Sequence, residues 1–432
     1  MKGKAAVTGK CVDPCETCEA LGCFDRCIGH ACGSRALARY ASREMGSPAH
    51  PPAPRVVVKI GTNTLTGGAR NLDEGRMGDI ARQIVDVRRT GAEVILVSSG
   101  AIAAGRARID LHGTRRDLPA KQMLAAVGQH RLMAMWDRLF EAHDVPVAQT
   151  LLTKGDLRGR SGYLNARNTL LGLVEAGVVP IVNENDVVAT DEIHVDGDNR
   201  LFGDNDNLSA MVANVADATL LLNLTNTGGL YTADPRRDPD ARLVPLVPRI
   251  TRGIDALAGG AADQGTGGMR TKIEAARVAT ASGIEMVIAP GSEPNVIVRV
   301  VAGESIGTRF VASTAHREAR QRWILSALTR RAVVHVDAGA AEALVRRGRS
   351  LLAAGIVRVE GRFGRGDPLS VHDPSGDPIA CGLANYASSD LLRIRGMQSA
   401  AILQALGHAY GDEVIHRNNL VLVDGRERVT TE

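Results

Sequence analysis

The sequence predicts an α/β protein in which helices sandwich a mainly parallel sheet, with a small, mostly β domain after it. Two patterns support this prediction. From Arg55 to about residue 312, fully apolar runs alternate with amphipathic stretches, which is typical of strands covered on both faces by helices. After residue 330 the runs are short, alternate apolar with polar residues and end at Gly, Pro or Asp, which is typical of a small β domain.

Each element of the first region has its own signal. Apolar runs predict strands at residues 55–61, 93–100, 145–152, 178–186, 218–225 and 285–291. Apolar residues at helical spacing predict helices near residues 77–87, 119–143, 164–176, 208–216 and 271–281. In such sheets ligands gather where strands turn into helices, so we expect the functional residues at the carboxyl ends of the strands.

The second region has weaker signals. Alternating runs predict strands at residues 332–337, 355–361, 367–373 and 419–425. A polar, arginine-rich stretch separates the two regions. We therefore divide the chain into an N-terminal extension with a linker (residues 1–54), a large α/β domain (55–312), a second linker (313–329) and a small domain (330–427).

The N-terminal extension holds six of the seven cysteines, which are Cys11, Cys15, Cys18, Cys23, Cys27 and Cys32. We favour a disordered extension that is dispensable or not truly translated, since Met45 precedes the first strand and would be a natural start. Metal binding stays open, although the spacings do not form the paired C-x2-C pattern of zinc sites. A disulfide knot suits a small secreted domain rather than this chain.

Composition limits the class of protein. The chain is 44% hydrophobic and 23% charged, which allows a sizeable core and excludes wholesale disorder. No apolar run approaches the roughly 18 residues that span a bilayer. The basic N-terminus lacks the apolar stretch of a signal peptide, so we expect a cytoplasmic protein without membrane spans.

Lysine is rare in this chain, with seven lysines against 45 arginines. Lys59 ends an apolar run and precedes Gly61, and Lys272 closes the glycine-rich loop GTGGMRTK. A compact ammonium beside glycine backbone suits a phosphoryl group in transfer, and the broad guanidinium of arginine does not simply replace it. For Lys121 and Lys154 a functional role and a chance surface position are equally compatible with the sequence.

Other polar clusters lie at the predicted strand ends. NEND (residues 183–186) ends one strand, SSGAIAAG (98–105) ends another, and GDNDN (203–207) precedes a helix. Turns and N-caps would explain each cluster taken singly. Together they are typical of a pocket in which amides, hydroxyls and carboxylates bind a small polar molecule. The loop at residues 265–272 opens a helix, where backbone N–H groups favour anions.

In this order, the segments closely resemble glutamate 5-kinases of the amino acid kinase family. The matching motifs are VVVKIGTN, SSGAIAAG, KQMLAAVGQ, YLNARNTL, VPIVNENDVVAT, GDNDNLSA, GLYTADP and GTGGMRTK. The C-terminal region, with RGRSLLAAGI, resembles a PUA domain. The resemblance implies an ATP-dependent kinase that phosphorylates the γ-carboxylate of L-glutamate and so opens proline biosynthesis.

The resemblance also implies roles for individual residues. Lys59 and Lys272 would be catalytic, with Asp206 as the carboxylate that orients both lysines. The implied substrate-binding residues are Ser99, Asp186 and Asn205. The implied ATP-binding residues are Lys59, Thr225, Asn226, Thr266, Gly267, Gly268, Met269, Arg270, Thr271 and Lys272. Mg²⁺ would be held chiefly by ATP and water, so no protein metal ligand is expected.

Partners follow from the same resemblance. It implies feedback inhibition by proline, a homo-oligomer and a glutamyl phosphate reductase that consumes the product. Two alternatives stay open, namely a kinase of the same fold for another small carboxylate and an RNA-binding protein that acts through the PUA-like domain. From Arg330 to Glu432 the chain has thirteen arginines, no lysines and twelve acidic residues. This net charge of +1 does not favour binding to a phosphate backbone.

Overall fold

The computed structural model describes residues 54–109, 117–189, 205–258, 268–312 and 332–423. The predicted N-terminal extension and the predicted linker at 313–329 therefore lie outside the described residues, apart from Pro54.

An eight-stranded sheet organises the first region, with the order β3-β4-β2-β1-β5-β7-β8-β6. Its strands are β1 (Arg55–Ile60), β2 (Glu93–Ser98), β3 (Val147–Leu152), β4 (Val179–Glu184), β5 (Leu220–Thr225), β6 (Leu246–Val247), β7 (Glu285–Pro290) and β8 (Thr308–Phe310). All neighbours from β3 to β7 pair in parallel, and β8 runs antiparallel to β7. The prediction of a mainly parallel sheet is confirmed.

Helices connect the strands and lie on both faces of the sheet. They are α1 (Thr62–Thr66), α2 (Glu74–Arg89), α3 (Ala101–Arg106), α4 (Leu118–Glu141), α5 (Lys154–Arg158), α6 (Arg160–Glu175), α7 (Asn205–Val215), α8 (Arg252–Leu257), α9 (Met269–Ala281) and α10 (Val296–Val301). The five predicted helices correspond to α2, α4, α6, α7 and α9, while the short helices had no clear signal in the sequence.

The central strand β1 shows how the sheet divides the core. Val56, Val58 and Ile60 pack with α2 and α4 in one buried cluster. Val57 packs in a second cluster with residues of α7 and α9. Successive side chains of a strand point to opposite faces, so Lys59 points to the same face as Val57, toward α7 and α9. This alternation fixes the side of the sheet on which its ammonium can act.

The C-terminal region forms a separate β-rich unit with its own core. A five-stranded sheet has the order β11-β9-β12-β13-β15, and a two-stranded sheet pairs β10 with β14. The strands are β9 (Val333–Val336), β10 (Leu351–Leu352), β11 (Ile356–Glu360), β12 (Pro368–His372), β13 (Pro378–Leu383), β14 (Glu413–Ile415) and β15 (Leu420–Leu422). Its helices are α11 (Ala338–Arg347), α12 (Ser388–Ile394) and α13 (Ile402–Leu406). The predicted mostly β domain is confirmed.

Candidate active site

The candidate site lies where the strands β1, β2, β4 and β5 end. Parallel neighbours in exact register bring these ends together, since Ile60 pairs with Ser98 and Lys59 pairs with Asn223. The N-terminal residues of α7 and the first turn of α9 complete the site. The strand ends carry polar residues because the buried apolar runs stop here and the chain turns into helices.

A buried carboxylate between two lysines is the main electrostatic feature. Asp206 Oδ1 lies 2.5 Å from Lys59 Nζ, and its Oδ2 lies 3.0 Å from Lys272 Nζ. Asp206 is 1% exposed, Lys59 6% and Lys272 7%. One negative charge thus faces two positive charges in a nearly dry environment. The cluster has a net positive charge and is suited to a bound anion.

The hydrogen bonds of Asp206 keep it ionised. Burial by itself raises the pKa of this carboxyl, but Lys59 and Lys272 outweigh burial and hold the pKa well below its usual range. Asn223 donates from Nδ2 to Oδ1 at 2.8 Å, and Thr271 donates from Oγ1 to Oδ2 at 2.8 Å. Asp206 is therefore a fixed anion at neutral pH that orients both ammonium groups.

A chain of amides lies beside this cluster. Asn205 donates from Nδ2 to Ser99 Oγ at 2.8 Å and to Asn183 Oδ1 at 3.0 Å. Asn183 in turn donates from Nδ2 to Gln129 Oε1, on α4, at 2.8 Å. Asn183 is 2% exposed and Asn205 4%. These bonds fix the orientation of Asn205 next to Asp206. The linked side chains form a rigid, neutral polar surface there.

A cavity of about 300 Å³ opens onto both groups. Its lining includes Gly61, Asn63 and Gly100, together with eight of the residues predicted from sequence. These eight are Lys59, Ser99, Asp186, Asn205, Asp206, Thr225, Asn226 and Lys272. The structure thus brings together the predicted catalytic residues, the predicted substrate-binding residues and the strand-end part of the predicted ATP site.

The other predicted ATP-binding residues do not line the cavity or lie outside the described residues. Met269 packs against the core, and Arg270 Nε lies 3.4 Å from Glu274 Oε1 on the exposed face of α9. Gly268 is the N-cap residue of α9 and, like Thr271, Met269 and Arg270, is not among the cavity-lining residues. Thr266 and Gly267 lie outside the described residues.

Some site residues were missed or left open by the sequence analysis. Asn223 holds Asp206, and its signal was a lone amide within the apolar run LLLNLT, where a buried polar group needs a partner. Gln129 supports Asn183 from a helix that reads as ordinary amphipathic sequence. Arg106 and Lys121 also line the cavity. The sequence left the role of Lys121 open and gave no signal for Arg106.

Within the five described ranges, no group of three or more His, Cys, Asp or Glu side chains could hold a metal ion. No helix in these ranges is both long and apolar enough to cross a membrane.

Comparison with known proteins agrees with this geometry. Residues 54–290 match the model of the amino acid kinase family, and residues 332–406 match that of the PUA domain. The chain is 53% identical over 370 residues to the glutamate 5-kinase of Dehalococcoides mccartyi, covering 85% of this chain and 98% of the relative. It is 54% identical over 368 residues to the glutamate 5-kinase of Herpetosiphon aurantiacus, with the same coverage of both chains.

A third relative extends the match. The glutamate 5-kinase of Deinococcus radiodurans is 49% identical over 370 residues, which cover 85% of this chain and the whole of the relative. Because these relatives match over nearly their full lengths, the chain belongs to the amino acid kinase family, among its glutamate 5-kinases with a PUA domain.

Proposed function

We propose that this protein is a glutamate 5-kinase, which transfers the γ-phosphoryl group of ATP to the γ-carboxylate of L-glutamate. The product is L-glutamyl 5-phosphate, at the first step of proline biosynthesis. The observation that carries this proposal is the pair of buried lysines that Asp206 holds in the lining of a polar cavity. Relatives named glutamate 5-kinase support the choice of substrate.

The chemistry needs charge neutralisation more than proton transfer. The γ-carboxylate of glutamate has a pKa of about 4.3 in water and is already ionised at neutral pH, so no general base is required. The obstacle is to bring this anion against the negative γ-phosphoryl group. Lys59 and Lys272 act on the phosphoryl oxygens, where charge develops in the transition state, and Asp206 keeps both ammonium groups in place.

The two ammonium groups carry more N–H donors than Asp206 alone can accept. A carboxylate offers about four lone-pair sites, whereas two ammonium groups carry about six N–H donors. Asn223 and Thr271 also donate to Asp206. In the proposed arrangement both lysines therefore donate to the phosphoryl oxygens as well as to Asp206. The net charge of the cluster thus fits the anionic reactants.

The remaining residues divide between the two substrates. Ser99, Asp186 and Asn205 bind glutamate, because they line the cavity beside the amide chain. Thr225, Asn226 and the segment 266–272 bind ATP at the ends of β5 and the start of α9. Mg²⁺ brought with ATP would offset the charge of the phosphates and would be held chiefly by the nucleotide and water rather than by a protein cage.

Several properties of the relatives' reaction extend to this protein in the same proposal. The enzyme acts in the cytoplasm as a homo-oligomer, and proline inhibits it. A glutamyl phosphate reductase consumes the product, since an acyl phosphate hydrolyses readily in water. The α/β domain spans residues 55–312 and the PUA domain residues 330–427. We assign no RNA-binding role, because the net charge of the C-terminal region is only +1.

Trapping of the acyl phosphate tests the proposal. Hydroxylamine converts glutamyl 5-phosphate into a stable hydroxamate, so the purified protein should form this product with ATP and glutamate. Aspartate, which is one methylene shorter, is the matched control and should react at least about tenfold more slowly. Equal rates with the two amino acids, or no product with either, would overturn the proposed function.

A further inference from the structure

Most of the lysines that follow the N-terminal extension line one cavity. After the N-terminal extension the chain retains only Lys59, Lys121, Lys154 and Lys272. Three of these four line the same cavity, and Lys154 is the exception. Elsewhere arginine supplies the positive charges. A compact ammonium suits a site where a charge must turn toward a reactant, and Lys121 shares its place in the cavity lining with the two lysines that hold Asp206.

Close helix packing places Lys121 at the cavity. A Cβ atom on Gly105 of α3 would lie 2.0 Å from the carbonyl oxygen of Leu124 on α4, and one on Gly128 would lie 1.7 Å from that of Ala101. The two helices therefore touch backbone to backbone, which only glycine permits. Lys121 lies one turn before Leu124 on α4.

The same packing brings a second cation, Arg106, to the cavity lining. Arg106 follows Gly105 directly, at the C-terminal end of α3. Both Arg106 and Lys121 line the cavity together with Ser99 and Asp186. A pair of cations therefore lines the same cavity as the residues that the proposed function assigns to glutamate.

The α-carboxylate of glutamate requires a positive counter-charge in the cavity. Lys59 and Lys272 are committed to Asp206 and the phosphoryl group. Asp186 has the charge that suits the α-ammonium, and Asn183 and Asn205 are neutral. The α-carboxylate would lack a counter-charge if these groups alone surrounded it, and burying an unpaired carboxylate is costly.

We propose that Lys121, together with Arg106, binds the α-carboxylate of glutamate and makes the enzyme select amino acids that carry this group. This inference rests on the proposed glutamate 5-kinase activity. In this assignment the amide chain forms hydrogen bonds that orient the substrate, and Arg106 on α3 and Lys121 on α4 recognise its α-carboxylate. The chemistry at the γ-carboxylate is left to Lys59 and Lys272.

The α-amide of glutamate is the probe that tests this inference, because it keeps the α-ammonium and the reacting γ-carboxylate but lacks the α charge. Wild type should prefer glutamate over the α-amide in kcat/KM by about tenfold or more. Lys121→Met should raise the KM for glutamate by about tenfold or more with kcat within about threefold, and the preference should nearly vanish. Arg106→Met should reduce the preference less.

Controls separate recognition from folding. Lys154→Met makes the same substitution outside the cavity lining and should leave the preference unchanged. If Lys121→Met does not fold, Lys121→Gln carries the same expectation. An equal loss with both substrates, or a lower kcat at unchanged KM, would overturn the assignment of Lys121. Failure of wild type to phosphorylate glutamate would instead overturn the proposed function itself.

Discussion

Two buried ionic clusters of this molecule are built in opposite ways. In the active site one carboxylate, Asp206, lies between two lysines. In the second cluster one arginine, Arg167 on α6, is surrounded by acceptors. It is 1% exposed and forms an ion pair with Asp217. It also donates to the carbonyl oxygens of Val215 and, at 3.0 Å, of Asn418.

The difference between the clusters shows how the chain divides its cations by task. A guanidinium has five donors in a fixed plane, which suits permanent acceptors. Arg167 uses them to join α6 to the end of α7 and to the C-terminal region, where Asn419 Oδ1 accepts from Nε at 2.5 Å. An ammonium is compact and can turn toward a reactant. In these two clusters arginine joins elements of the fold, and lysine acts on the reactants.

The largest effect should come from breaking the arginine cluster. Arg167→Met retains most of the volume but removes the cation from Asp217, whose side chain is 19% exposed, and the donor from the buried Asn419. We expect a loss of about 2–4 kcal/mol in the free energy of unfolding, because loss of a fully buried partner costs about 3–5 kcal/mol and Asp217 keeps some contact with water. Urea unfolding of the wild type and the variant measures it. A loss below about 1 kcal/mol would mean that Arg167 is not a structural joint.

Removal of a catalytic lysine should change the rate rather than the fold. Lys272→Ala should lower kcat by about 10²-fold or more, or roughly 2.7 kcal/mol, with little change in the KM for glutamate. The ammonium matters most in the transition state, when charge builds on the phosphoryl oxygens. Steady-state kinetics at saturating ATP measure this effect. A wild-type kcat would remove Lys272 from the mechanism.

Asp186 should affect substrate binding more than turnover. This residue lines the cavity and lies beyond the reacting carboxylate in the proposed arrangement. Asp186→Ala should raise the KM for glutamate by about tenfold, because the α-ammonium loses its counter-charge. Separate titrations of glutamate and ATP check this. An effect confined to the KM for ATP would show that the proposed division of the cavity is wrong.

An exposed ion pair provides the matched control for Arg167 and the smallest expected effect. Arg160, on the same helix, lies 2.7 Å from Asp367, but the two side chains are 53% and 34% exposed. Arg160→Ala should cost at most about 1 kcal/mol of stability, because water and salt screen such pairs. Urea unfolding measures this as well. A loss equal to that of Arg167→Met would show that burial does not distinguish the two contacts.

The sequence predicted the sheet and much of the site for clear physical reasons. Apolar runs between glycine turns identified the strands, and parallel strands must gather their polar ends at one edge, as Lys59, Ser99 and Thr225 do. The burial of Arg167 was not predicted, although it lies on the apolar face of α6 between Leu164 and Leu170. Its partners were not readable, because Asn418 and Asn419 lie about 250 residues further along the chain.

The unpredicted parts of the site depend on packing between helices. Lys121 reaches the cavity because Gly105 and Gly128 let α3 and α4 touch, and no local pattern at Lys121 reports this contact. Arg270 lies beside Glu274 on the surface of α9, and its contact with ATP stays a prediction. Helix phase and tertiary contact decide which of these positions face the cavity.

A reciprocal exchange of the two cations tests the division of tasks most directly. Lys272→Arg keeps the charge, and Arg167→Lys does the same in the other cluster. We expect the first variant to lose about tenfold to 10²-fold in kcat with little change in unfolding free energy. The second should lose about 2–3 kcal/mol of stability with kcat within about twofold of wild type. Full activity in Lys272→Arg, or wild-type stability in Arg167→Lys, would contradict this division of tasks between lysine and arginine.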